Sequence, residues 1–407
     1  MSNTPKLRFP EFSGEWEEKR LEEICDPPKY GLNSAGIEFD GIHKYLRITD
    51  IDEITHTFSP TDITTPSEFN DEYLLNKNDI VFARTGASTG KTYLYDSNDG
   101  DLYFAGFLIK FHVKDANARF VFYQTLTHKY SKWVHVMSTR SGQPGINSEE
   151  YGSYKIKLPD IHEQQKIAEF LSNVDSIITA ETKILNTLQI KKKALMQKLF
   201  TQQLRFKSDD GTDFPAWEEK KLGDVCSVLS GKRVPKGNKL TSVNTGLKYI
   251  TVSDMGDKFV SNKDIKYITQ EIETKIKKYK VITGDIIISV AGTLGKVNII
   301  TEEFNNANLT ENCDKLTEFK GCITEYLFYF LQSEKFLDEI NRIKTSSAQP
   351  KLALDRLRIF VIPIPIIEEQ QKIADCLSSM DSLIQTQQKV VTTWQQRKKA
   401  LLQQMFI

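Results

Sequence analysis

Two stretches of the chain carry apolar residues at alternating steps of four and three, the spacing that lays a continuous apolar seam along a helix. The first runs Ile167, Leu171, Val174, Ile178, Glu181, Leu185, Leu188, Lys192, Leu195, Leu199. The second runs Ile373, Leu377, Met380, Ile384, Gln387, Val391, Trp394, Lys398, Leu401, Met405, and it breaks to polar residues at the same two places. No proline or glycine interrupts either stretch. Pro159 and Pro365 stand just before them, behind the strand-like runs KIKLPD at 155–160 and FVIPIPII at 360–367. The pattern predicts two helices of about 40 residues, each roughly 60 Å long. Either alone would expose an apolar stripe, and two can bury their stripes against each other.

The two stretches are copies. EQQKIA occurs at 163–168 and 369–374, an offset of 206, and KKAL at 192–195 returns at 398–401. Further back, Trp16-Glu17-Glu18-Lys19 returns as Trp217-Glu218-Glu219-Lys220, YLRITD at 45–50 as YITVSD at 249–254, and NDIVFARTGASTGK at 78–91 as GDIIISVAGTLGK at 284–296. About half the chain is therefore duplicated, each copy a variable globular part followed by a well-kept helix. Two long copies fit a pseudo-twofold arrangement better than a solenoid, which needs three or more short repeats. A pseudo-twofold axis makes the helices antiparallel. The plainer alternative is a helical hairpin inside one domain.

Between the helices the pattern is mixed α and β. Residues 44–51, 78–84, 247–254 and 284–290 read as strands, and segments near 118–136 and 323–343 as helices. The expected fold is α+β, with two globular domains joined by two long helices forming an antiparallel coiled coil. The expected boundaries are 1–158, 159–202, 203–364 and 365–407.

Charge and composition then limit the function. Lys+Arg and Asp+Glu are both 54, so any positive surface must be local. It gathers in acid-free runs: 226–253 holds Lys232, Arg233, Lys236, Lys239 and Lys248, 116–148 holds Arg119, Lys129, Lys132 and Arg140, and 340–354 holds Arg342, Lys344 and Lys351. SGKRVPKG, TRSGQPG and SSAQPK mix these cations with glycine, proline and amides, the side chains that position on phosphate and read base edges. With their flanks, the candidate DNA contacts are Arg47, Arg84, Thr85, Gly86, Ser88, Lys91, Arg140 and Gln143 in the first copy. In the second they are Lys232, Arg233, Lys236, Lys248, Thr293, Lys296, Lys344, Gln349 and Lys351.

Catalytic signatures are incomplete. TGASTGKT at 85–92 leaves three residues between Gly86 and Gly90 where a phosphate-binding P-loop needs four, although its backbone amides could still cradle a DNA phosphate. DPPK at 26–29 lacks the aromatic fourth residue of an amino-methyltransferase tetrad, and Phe104-Ala105-Gly106-Phe107 stops short of a cofactor-binding glycine motif. The six histidines are scattered, and the five cysteines form no CxxC pair. A reducing cytoplasm is expected, with no metal site. The most apolar segment, 359–367, is nine residues broken by two prolines and too short for a bilayer.

Taken together these residues resemble the specificity (S) subunit of a type I restriction-modification system. The resemblance spans essentially the whole chain. It rests on the proline followed by EQQKIAEFL at 163–171 and EQQKIADCL at 369–377, on the W-E-x-K-x-L starts at Trp16 and Trp217, and on the DI-x5-G loops at 79–86 and 285–292. It implies one target-recognition domain for each half of a bipartite, asymmetric DNA site, with the helix pair as spacer and as the dock for two modification subunits. S-adenosylmethionine, ATP and magnesium would belong to the modification and restriction subunits, so this chain would be no enzyme and hold no cofactor. The rival classes are a self-contained DNA adenine methyltransferase, which binding of S-adenosylmethionine would reveal, and a coiled-coil scaffold without DNA, which salt-independent failure to retain DNA would reveal.

Overall fold

The computed structural model describes residues 4–68, 70–139, 144–345 and 351–406. The chain forms two compact units, 1–183 with 388–407, and 184–387.

The first long helix, Ile161–Phe200, begins where Asp160 accepts the His162 amide proton at 2.9 Å. It ends where Gln202 takes a positive φ of 59°. The second long helix covers Ile367–Met405. The seam read from the sequence is the buried face. Ile167, Leu171, Val174, Ile178, Leu185, Leu199, Ile373, Leu377, Val391 and Met405 are buried. Leu188, Leu195, Met380, Ile384, Trp394 and Leu401 are half-buried. Ile177, Ile184, Ile190 and Leu383, which fall off the four-three pattern, are exposed. Within the first unit Ile167 and Leu171 share a core with Leu402 and Met405; within the second, Ile373 and Leu377 share one with Met196 and Leu199. The start of each helix thus lies beside the end of the other, and the pair is an antiparallel coiled coil.

Each globular part is built on a four-stranded antiparallel sheet. In the first unit the order is Lys29–Tyr30, Leu108–His112, Asp79–Ala83, Thr92–Leu94. In the second it is Ser227–Ser230, Cys313–Thr317, Ile286–Ser289, Val297–Ile299. The central strands Asp79–Ala83 and Ile286–Ser289 read as near-continuous apolar runs because both faces are covered. Ile80 and Phe82 face the core that includes the helices, while Val81 and Ala83 face a second cluster. Ile286 and Ile288 against Ile287 repeat this arrangement. Each unit also has a parallel pair, Lys44–Leu46 with Leu102–Phe104 and Lys248–Ile250 with Asn308–Leu309.

The W-E-E-K copies form edge strands that pair antiparallel with the strand leading into each helix, Glu17 opposite Leu158 and Glu218 opposite Ile364. The strands expected over 44–51 and 247–254 are shorter than the sequence suggested. After Leu46 and Ile250 the chain turns into single 3-10 turns, Ile48–Asp50 and Val252–Asp254. Asp50 and Asp254 accept the amide protons of Arg47 and Thr251 at 2.9 and 2.8 Å, and that local bond competes with the extended backbone.

Candidate nucleic-acid interface

The variable loops of each copy gather at one end of its four-stranded sheet. In the second unit Gly231 N–H bonds Cys313 O at 3.0 Å, Val290 N–H bonds Asn312 O at 2.8 Å, and Leu352 N–H bonds Val290 O at 3.0 Å. Segments 230–236, 290–293, 310–313 and 351–352 therefore converge. In the first unit the same positions are joined by Gly31 N–H to Leu108 O at 3.0 Å, Arg84 N–H to Phe107 O at 3.0 Å, and Ile146 N–H to Arg84 O at 2.9 Å. Runs far apart in sequence, most of them acid-free, thus become neighbours, with Glu311 among those of the second unit.

The candidate contacts divide once their side chains are placed. Four cations are tied to the fold as struts, Arg47 among them with its side chain still 39% exposed. Lys91 Nζ donates to Ile51 O at 3.0 Å and its side chain is only 10% exposed. Lys296, its repeat partner, donates to the carbonyl of Met255. Lys248 Nζ donates to Glu303 O at 3.0 Å and lies 4.6 Å from the Phe304 ring centroid. Arg47 clamps the buried Asp50 carboxylate through two bonds of 2.8 and 2.9 Å. The remaining described candidates are exposed or half-buried. Lys232, Lys236 and Lys351 are exposed, and so is Arg233, whose guanidinium donates to Glu311. Arg84 is half-buried, 4.9 Å from the Tyr30 ring centroid. Ser88 is half-buried and Thr293 exposed. Arg140, Gln143, Gln349 and the Lys344 side chain lie outside the described residues.

Arg233, Lys236, Asn238, Tyr249, Thr251 and Glu311 help to line an open cleft of about 630 Å³. Burial pushes the Glu311 carboxyl up, but the hydrogen bonds from Arg233 and Thr310 outweigh it, and the group stays below its ordinary range. Sequence reasoning missed Glu311, since an acid inside a basic site carries no charge signal. It also missed Phe107, 62% exposed at the equivalent loop end of the first unit, and Tyr30 beside Arg84.

In the glycine-rich turn most backbone amides are already engaged. The amides of Gly86, Thr89, Gly90 and Lys91 all bond to carbonyls of the fold, at Pro144, Gly86, Ala83 and Ser88. A Cβ on Gly90 would meet Val134 at 2.5 Å, and one on Gly295 would meet Ile340 at 3.2 Å. These glycines let a helix of the domain pack onto the turn. The aspartate of the DI motif is structural too: Asp79 is buried against His112 at 2.7 Å and Lys110 at 3.4 Å.

The repeated EQQKIA motif is a latch. Glu163, 1% exposed, receives two bonds from Arg8 at 2.7 and 2.8 Å; Glu369, 0% exposed, receives two from Arg205 at 2.7 and 3.0 Å. Gln164 accepts from Asn117 N–H at 3.0 Å and Gln370 from Ile323 N–H at 2.9 Å, so each glutamine pins the head of a short domain helix. Replacing Arg205 by Ala leaves Glu369 buried with Trp217 Nε1, at 2.8 Å, as its remaining side-chain donor. The expected loss is about 3 kcal/mol in urea unfolding of the second unit, the usual cost of stranding one member of a buried pair. Arg8→Ala should do the same to the first, and an unchanged midpoint in both would show that the latches carry no stability.

The polar breaks in the seam also have partners. Lys192 lies 2.5 Å from Asp381, and Lys398 2.6 Å from Asp175. The two pairs are related by the repeat offset and obey one antiparallel register.

Among the described residues no group of His, Cys, Asp or Glu could hold a metal ion, and no helix is long and apolar enough to cross a membrane.

Two like domains on a shared antiparallel helix pair define a bipartite recognition protein. The family model for the type I restriction modification DNA specificity domain matches twice, over residues 13–189 and 216–393, and the chain belongs to this family of specificity subunits. It is 26% identical over 97% of its length, and 92% of the relative's, to the type I restriction enzyme MjaVIII specificity subunit of Methanocaldococcus jannaschii. It is 24% identical over 98% and 95% to the putative MjaX specificity subunit of the same organism. Among solved structures, the S subunit of a type I restriction-modification system from M. genitalium matches over 99% of both chains, with TM-score 0.59 and 17% identity. A chain from a study of assembly and conformational transition of the type I R-M system matches over 95% and 96%, with TM-score 0.56 and 18% identity. At such identities the structural likeness establishes the fold.

Proposed function

We propose that each recognition domain reads one half of a bipartite, asymmetric double-stranded DNA target, while the helix pair sets the spacer and docks two methyltransferase subunits. Restriction subunits join that assembly. S-adenosylmethionine, ATP and magnesium enter with the partners, this chain performs no chemistry itself, and the complex works in the cytoplasm. The observation that carries this reading is the duplicated domain on a helix pair whose two ends keep one register through Lys192–Asp381 and Lys398–Asp175. The loop ends of the two sheets present different chemistry, Arg84 with Tyr30 and Phe107 in one and Lys232, Arg233, Lys236 and Glu311 in the other, which supports two different half-sites. The exposed Ile177 and Leu383, equivalent in the two copies, are apolar points that a docked subunit would cover.

The test is a methylation map of the complex assembled with its modification subunits. Replacing Arg233 and Lys236 by Ala should relax or weaken one half of the motif by roughly 10- to 100-fold, and Arg84→Ala the other half, as expected for base-reading contacts of about 1–3 kcal/mol. Effects of both variants on the same half would refute the one-domain-per-half reading. Uniform weakening with a smaller salt slope would reassign these cations to phosphate. The purified chain alone, given S-adenosylmethionine and DNA, should transfer no methyl group.

A further inference from the structure

Each unit contains a three-way tie that the apolar seam does not require. In the first, Tyr123 Oη donates to Asp175 Oδ2 at 2.7 Å, and Lys398 Nζ lies 2.6 Å from Asp175 Oδ1 and 5.6 Å from the Tyr123 ring centroid. In the second, Tyr329 Oη donates to Asp381 Oδ2 at 2.6 Å, and Lys192 Nζ lies 2.5 Å from Asp381 Oδ1 and 5.4 Å from the Tyr329 ring centroid. Three elements meet at each tie, and the second is joined by the loop residue Lys258, whose Nζ donates to Tyr329 Oη at 3.3 Å and to Ser378 Oγ at 3.4 Å. The tyrosine comes from a short domain helix, Ala118–Gln124 or Thr324–Phe330, the aspartate from the first half of one long helix, and the lysine from the last half of the other.

Stability alone does not account for the arrangement. Lys192 and Lys398 occupy seam positions where an apolar side chain would pack without desolvating a charge. Their side chains are only 18% and 12% exposed, and pairs so placed return little net stability against well-packed apolar residues. Polar groups in a helix seam serve best to select one geometry over near alternatives. What distinguishes these two is the third member. Burial holds both tyrosine hydroxyls well above their ordinary pKa, so they remain protonated donors. A donor on the globular domain, an acceptor on one helix and a cation on the other satisfy each other only when the domain stands at one angle.

We propose that Tyr123–Asp175–Lys398 and Tyr329–Asp381–Lys192 are joints fixing the angle of each recognition domain on the helices, which makes Lys398 and Lys192 positioning residues for spacer discrimination. The inference rests on the reading that the helix pair sets the distance between half-sites. A domain free to tilt reaches half-sites one base pair nearer or farther, so loosening the joint broadens the accepted spacer before it weakens recognition of either half.

The test uses the complex assembled with its modification subunits and a pool of duplexes holding both mapped half-sites, at the native spacer or one base pair longer or shorter. Lys398→Met and Lys192→Met keep the aliphatic stem and remove the charge. Each should hold native-spacer methylation within about twofold and raise the off-spacer to native ratio about tenfold, in the range of coupling between groups in one contact network. Thermal melting should not fall. Tyr123→Phe and Tyr329→Phe should move the ratio the same way. An unchanged ratio in folded, assembled variants overturns the joint, as does a uniform fall at every spacer with a lower melting temperature. If the Met variants fail to assemble, Tyr123→Phe and Tyr329→Phe, which remove only the hydroxyl donors, decide: a raised ratio supports the joint, and an unchanged one overturns it. A native complex that methylates all spacers alike would defeat the fixed-spacer reading and this inference with it, whereas a sharp native complex with sharp variants defeats the joint alone.

Discussion

Seven residues inserted after Glu181 and seven after Gln387 should move the two half-sites apart by about three base pairs without changing the bases read. Each helix lengthens by about 10 Å at 1.5 Å per residue, and a whole heptad keeps the four-three seam in phase. The insertion points are repeat equivalents, within a few residues of where the two compact units divide. The ties Asp175–Lys398 and Asp381–Lys192 each stay inside one unit, and matched insertions shift both by the same amount, so one register survives. Three base pairs at 3.4 Å span the added length. They also turn one half-site by roughly 100° about the DNA axis at 10–10.5 base pairs per turn, so tighter twisting or weaker binding accompanies the shift. A methylation map of the assembled complex reads the result. The same halves with a longer spacer support the ruler, and an unchanged spacer at full activity means that something else sets the distance. Insertion in one helix only should break the register and abolish assembly.

Leu171→Asp, or its repeat equivalent Leu377→Asp, should unfold the unit that contains it. Both side chains are 0% exposed. Leu171 shares a core with Leu402 and Met405 of the other helix, and Leu377 with Met196, Leu199 and Phe200. A carboxylate among these apolar side chains costs several kcal/mol before the lost packing is counted, so more than ~4 kcal/mol is expected from each change. Leu→Ala at the same positions should cost about 2–5 kcal/mol through the cavity alone. Circular dichroism melts and co-purification with the modification subunit report the outcome. Retained melting and assembly in both Asp variants would show that these positions are not the core of the pair.

The repeat, the seam and one central strand of each sheet, at 79–83 and 286–289, were legible because each is a one-dimensional pattern that the fold reads directly; the neighbouring strands Leu108–His112 and Cys313–Thr317, interrupted by Lys110 and by Asp314 and Lys315, were not. The off-pattern Ile177, Ile184, Ile190 and Leu383 lie exposed where the pattern leaves them out. The division of the basic residues into struts and outward contacts was not legible. A lysine's charge reads the same along the chain whether its ammonium meets water or a carbonyl 40 residues away, as Lys91 meets Ile51. The latch escaped for a related reason: EQQKIA is visible as a repeated word, but Arg8 stands 155 residues before Glu163 and outside the repeated segments. Asp50 and Asp254 ended strands that branched residues favoured, because a side-chain acceptor three residues on outbids a ladder the sequence does not specify.

The antiparallel exchange of helix ends orders the way the molecule can be completed during synthesis. The core of the first unit includes Leu402, Met405 and Phe406, with Phe406 5.1 Å from the Phe120 ring centroid and 6.3 Å from Trp16. The second unit is one uninterrupted stretch, 184–387. Everything it needs is synthesised while the first still lacks a wall of its core. The domain made first is therefore finished last, and it closes across a loop that contains the whole of its sibling, the kind of long-range closure that is slow because chain entropy is lost before contacts return it.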